Sequence, residues 1–148
     1  MEYAIYPDAV DPDLVGSYPA AAYAGGGFVW DTVLEYRVWC HPENHATDES
    51  EDSDYYNAFS TYSEAKKFSE RTIGAENPIA LILQEEYIDE PVAGVYLHVR
   101  DKRITEWPVE FLLRPKRGLT TITDFMSPDA PENRLDILRG LAQPESDT

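Results

Sequence analysis

Cys40, His41 and His45 lie within six positions of one another, and a His-x3-His pair on a helix would turn two imidazoles toward one metal ion. The surroundings do not supply that helix. Pro42 interrupts it, no matching ligand pair follows downstream, and the alternation before it sends Cys40 and His41 to opposite faces of a strand, so no metal site is expected. A second chemical signal is the acidic run holding Asp48, Glu49, Glu51, Asp52 and Asp54, whose oxygens suit a hard cation or a basic protein. It lacks the glycine and closing glutamate of a helix-loop-helix calcium site, so it reads as the solvated tip of a hairpin available for docking. Glu85 and Glu86 resemble an acid–base pair, yet neighbours on a strand face opposite ways and cannot share a proton. Tyr96, His98 and Arg100 recur at every second position, giving one strand face with an imidazole and a guanidinium. Lys102 and Arg103 extend that basic stretch, and together these five residues are candidate ligand contacts, with Glu35 and Arg37 as neighbours if their strand lies alongside. There is no Gly-x-Ser-x-Gly elbow, and Gly25-Gly26-Gly27 lacks the flanking strand and helix of a phosphate loop. No catalytic residue can be assigned.

The elements that must position these residues follow from periodicity. Val33 to Cys40 alternates, with Leu34, Tyr36, Val38 and Cys40 on one face and Val33, Glu35, Arg37 and Trp39 on the other, as in a half-buried strand. Tyr55 to Phe59 is a short aromatic strand, so the polar loop between them closes a hairpin. Thr61-Tyr62-Ser63-Glu64 has capping-box spacing and opens a helix to about Arg71, with Tyr62, Ala65 and Phe68 inward and Gly74 as its stop. If the apolar run Ile79 to Leu83 pairs beside Tyr55 to Phe59, that helix is a βαβ crossover. Val95 to Val99 forms a fourth strand, and Asp101-Lys102 offers a tight turn into Arg103 to Trp107. Val109 to Arg114 suits a short helix better than a strand. A last helix starts near Pro131 with Leu135, Leu138 and Leu141 as its apolar stripe.

These elements make an α+β domain with a four- to five-stranded antiparallel or mixed sheet and two or three helices. Residues 1–30 read as an irregular arm punctuated by Pro7, Pro12, Pro19 and three glycines, in which only Tyr3 to Tyr6 could pair as a strand. Residues 31–142 form the domain, and residues 143–148 a disordered tail. A chain of 148 residues buries enough surface to fold without disulfide or metal, and 43% hydrophobic residues exclude a wholly disordered chain. The single cysteine, Cys40, makes no internal disulfide.

The formal net charge is −16, distributed unevenly. Residues 1–54 carry twelve acids and one base, Arg37, whereas residues 98–117 carry six bases and three acids. Such a field repels nucleic acid and anionic membranes and attracts a basic protein. No apolar run approaches a membrane span and Met1 to Val10 lacks the pattern of a secretory signal, so a cytoplasmic location is expected.

Three stretches carry a resemblance: Glu35-Tyr36-Arg37-Val38-Trp39-Cys40-His41-Pro42-Glu43, Tyr87-Ile88-Asp89-Glu90-Pro91, and Ile104 to Leu112 with Trp107-Pro108 at its centre. The chain resembles a small family of uncharacterised bacterial proteins, some of which are labelled as members of the GNAT N-acetyltransferase superfamily. The resemblance implies a bacterial source and, for an enzyme, acetyl-CoA as cofactor in an acyltransferase or its accessory protein. GNAT enzymes hold the CoA pyrophosphate on a Gln/Arg-x-x-Gly-x-Gly/Ala loop that opens a helix. The nearest string, Arg71-Thr72-Ile73-Gly74-Ala75-Glu76, ends in a carboxylate and closes a helix. The leading expectation is therefore a non-enzymatic interaction protein with a basic partner and no cofactor.

Overall fold

The computed structural model describes residues 6–46 and 53–143. The described residues contain seven strands: β1 (Tyr23–Ala24), β2 (Thr32–Cys40), β3 (Tyr55–Phe59), β4 (Ile79–Gln84), β5 (Tyr87–Val92), β6 (Val95–Val99) and β7 (Arg103–Pro108). The helices are α1 (Tyr62–Arg71), α2 (Thr121–Met126) and α3 (Arg134–Leu138). Five strands form a mixed sheet in the order β1-β7-β4-β2-β3, and β5 and β6 form a separate two-stranded sheet. The protein is thus an α+β domain. Among the described residues no helix is long and apolar enough to cross a membrane.

The hairpin expected from β2 and β3 is present, with Cys40 opposite Tyr55 and Tyr36 opposite Phe59. The Thr61 hydroxyl accepts from the Glu64 amide at 3.2 Å and donates to the Glu64 carboxylate at 3.0 Å, capping α1 as its spacing predicts. Ala65 is buried, and Phe68 lies 5.3 Å from the Phe59 ring. β4 does not pair beside β3. It is antiparallel to β2 on the far side, so α1 carries the chain across β2 rather than to an adjacent strand.

β2 is not the half-buried strand its alternation predicts. Its register to β4 shifts between Val33 and Glu35, leaving Leu34 as an inserted residue. The bulge brings Val33 to the same face as Tyr36 and Val38, where Trp30, Ala80, Ile82 and Trp107 complete the main core. Glu35 and Arg37 fall on the opposite face and are 0% exposed, because the arm covers them. That arm is irregular but anchored. A 3-10 turn at Pro12–Leu14 leads to Gly16, whose amide donates to Glu35, and β1 adds a parallel edge strand to β7. The Tyr3 to Tyr6 pairing lies largely outside the described residues, as does most of the expected tail.

Three further expectations are corrected. β6 does not form a hairpin with β7; it turns at Ala93-Gly94 onto β5, a strand hidden in the sequence by Asp89, Glu90 and Pro91. Val109–Leu113 is a short helix as expected, of the 3-10 type. α2, absent from the periodic reading, supplies Ile122 and Phe125 to a second core with Val29, Ile88 and Leu138, on which the β5–β6 hairpin rests. α3 starts at Arg134 rather than near Pro131, and Leu141 falls outside it at 73% exposed.

Candidate functional site

The basic strand residues do not converge. Tyr96 points into the second core, its ring 5.0 Å from Phe125 and 5.9 Å from Phe28, while Val95 and Leu97 occupy the exposed face. The face carrying Tyr96 and His98 is therefore not solvated as the alternation suggests, because α2 packs against it. His98 Nε2 meets the Glu86 carboxylate, and Arg100 approaches its other ring nitrogen at 3.4 Å. Lys102 pairs with Glu85 at 3.5 Å on the surface. Arg103 belongs to the other sheet, where it donates to the Gln84 side chain at 2.7 Å between the rings of Tyr23 and Tyr87.

What joins His98 was not legible as a motif. Arg117 donates to Glu86 at 2.8 Å and to Asp31 at 2.9 Å, tying the hairpin to the entry of β2. The hydrogen bond from His98, with the Arg117 charge beside it, holds the Glu86 carboxyl below the usual carboxylate range. Glu35 and Arg37, expected as neighbours of this face, belong instead to a separate buried cluster. Arg37 Nε donates to Glu35 at 2.7 Å, and its Nη1 to Glu106 at 2.9 Å. Its remaining donors reach the carbonyls of Pro19 and Ala20, and Trp39 donates to Glu106 at 2.9 Å. Glu35 and all three guanidinium nitrogens of Arg37 are held by the chain itself, so the cluster fastens the arm to the sheet.

Of the acidic candidates, Asp48, Glu49, Glu51 and Asp52 lie outside the described residues. Asp54 stands at the start of β3, its carboxylate 2.8 Å from His41 Nδ1, and Glu76 meets the imidazole on its Nε2 side. The two carboxylates, hydrogen-bonded to either side of the ring, raise the pKa of His41 above its usual value. Glu76 also lines a groove of about 560 Å³ between the entry to β4 and the end of β7. Glu110 stands opposite it, and the lining contains no Lys or Arg.

The segment resembling a CoA loop ends α1 and turns at Gly74, whose φ of +81° favours glycine. A Cβ there would lie 2.5 Å from the Ala46 backbone nitrogen, so the turn is packed against the chain at 44–46. β4 follows, and no helix opens at this turn.

The charge of the described surface is more one-sided than the composition. Sixteen carboxylates are exposed against five Lys or Arg: Lys67, Arg71, Arg100, Lys102 and Lys116. The other cations are drawn inward. Arg37, Arg103, Arg114, Arg134 and Arg139 lie over aromatic rings, Arg114 at 3.9 Å from the Phe111 centroid and Arg134 at 4.4 Å from Phe125. Comparison of the chain with family models, curated proteins and solved structures finds no match.

Proposed function

We propose that the protein is a non-enzymatic interaction module that binds a basic partner through its acidic surface. The observation that carries this reading is the excess of sixteen exposed carboxylates over five exposed Lys and Arg. Stacking guanidinium groups on aromatic rings leaves few Lys and Arg at the surface to compete with an incoming cation for the exposed carboxylates. The groove between Glu76 and Glu110 offers a concave place where a Lys or Arg side chain meets carboxylates and no competing cation. Electrostatic attraction of this kind accelerates encounter and selects partners by charge.

The test uses a synthetic Lys/Arg-rich peptide and the full chain. Binding should weaken steeply as salt shortens the Debye length from about 10 to 3 Å. It should fall when Asp48, Glu49, Glu51, Asp52 and Asp54 are replaced by Asn or Gln, and again in a Glu76→Gln, Glu110→Gln variant. A peptide bound equally by parent and variants, or not at all at low salt, defeats the reading. Calorimetry with acetyl-CoA is the second arm. No heat of binding is expected, and micromolar affinity would favour the acyltransferase instead.

A further inference from the structure

We propose that His41, Glu43 and Asp54 bind a first-row divalent cation of zinc type, with Glu76 orienting the imidazole. One ligand atom from each of the three lies within 4.8 Å of the others. Tetrahedral ligands about 2.0–2.2 Å from a zinc ion stand roughly 3.3–3.6 Å apart, so closure needs shifts of about an ångström. Glu43 and Asp54 are exposed carboxylates free to make them.

The imidazole is held independently of any ion. The His41 amide donates to the Gly74 carbonyl at 2.9 Å, the Glu76 amide donates to the Trp39 carbonyl at 2.8 Å, and Cys40 bridges to Ala75. These backbone contacts fix residues 74–76 beside the end of β2 and set Glu76 against Nε2. A carboxylate on one imidazole nitrogen with the other nitrogen turned toward oxygen ligands is the arrangement that metal-binding histidines use. It leaves Nδ1, 2.8 Å from Asp54, as the ligating atom. The 3-10 turn Pro42–Asn44, closed by His45 in the left-handed region at φ +75°, carries Glu43 to the same end of the hairpin.

The donor set selects the ion. One imidazole nitrogen with carboxylate oxygens suits Zn²⁺ better than Mg²⁺ or Ca²⁺, which prefer oxygen alone. Cys40 is 0% exposed on the opposite face of the strand and contributes no thiolate. The inference does not depend on the basic-partner reading, since its ligand is the metal alone.

Calorimetric titration of chelator-treated full-length protein with ZnCl₂ tests it, with MgCl₂ and CaCl₂ alongside. One ion per chain should bind at micromolar concentration or below, and the alkaline-earth ions at least a hundredfold more weakly. His41→Ala and Asp54→Asn should each lose tenfold or more, and Glu76→Gln about 10–100-fold. His45→Gln should bind as the parent does. Co²⁺ should give the visible absorption of a four-coordinate nitrogen–oxygen site in the parent and not in Asp54→Asn or Glu43→Gln. These two exposed changes keep the test valid if His41→Ala disturbs folding, which circular dichroism reports. Absence of Zn²⁺ binding at about 100 μM shows that His41 only clamps two carboxylates. Binding retained in both His41→Ala and Asp54→Asn, or lost in His45→Gln, also overturns the assignment.

Discussion

Arg37 of β2 reaches across β4 to Glu106 of β7, a 2.9 Å ion pair between residues 69 positions apart in the chain. The same guanidinium holds Glu35 at 2.7 Å and the carbonyls of Pro19 and Ala20, so one side chain joins β2 and β7 to the arm. Removing it strands Glu35, whose side chain is wholly buried, without its cation. Arg37→Met should therefore cost about 3–5 kcal/mol in urea unfolding. The double change Glu35→Gln, Arg37→Met should cost less than Arg37→Met alone. Limited proteolysis should cut near residues 16–20 sooner in the single variant, and equal cleavage would show that the arm is held elsewhere.

Cys40 should be inert. Its side chain is fully buried at the end of β2, against the Val38 carbonyl at 3.8 Å. A thiol reagent should label it only in denaturant, and Cys40→Ala should cost about 0.5–3 kcal/mol without preventing folding. Rapid labelling of the native protein would contradict this burial.

Glu86 should contribute an acid-sensitive part of the stability. Its folded pKa is depressed by His98 and Arg117. The unfolded chain therefore binds a proton at higher pH than the folded chain does. The contribution is complete above the ordinary carboxylate pKa and is lost as pH falls through the lowered folded value. Stability measured from pH 6 to pH 3 should fall less steeply in Glu86→Gln than in the parent. Parallel curves would mean that other carboxylates carry the acid limb.

Two glycines with similar backbone angles should respond differently to alanine. Gly27 has φ +85° and Gly94 has φ +81°, so each substitution carries a left-handed strain of about 1–2 kcal/mol. A Cβ on Gly27 would also strike the buried Gln84 amide, which donates to the carbonyls of Gly26 and Val29 at 3.0 and 2.9 Å. At Gly94 the added carbon meets nothing within 4 Å. Gly27→Ala should lower the melting temperature several degrees more than Gly94→Ala. Equal losses would show that Gln84 yields at little cost.

The sequence alone determined the local elements whose signals are short in range. The β2–β3 hairpin, the capped helix α1, β4 as a central apolar strand and the burial of Cys40 follow from alternation, capping spacing and proline placement, each set within a few residues. Tertiary structure decided what those elements face. The bulge at Leu34 changes side-chain parity with no composition signal, and the arm converts an apparently wet face holding Glu35 and Arg37 into a buried ionic layer. β5 and α2 escaped because Asp89, Glu90 and Pro91 oppose strand propensity and α2 has six residues, too few for a helical period to emerge. The meeting of His41 with Asp54 and Glu76 likewise belongs to no motif. These residues approach only because the hairpin brings β3 back beside β2 and the turn after α1 is hydrogen-bonded to the end of β2. Side-chain chemistry is written residue by residue, but which carboxylates surround one imidazole is fixed by strand pairing between distant segments.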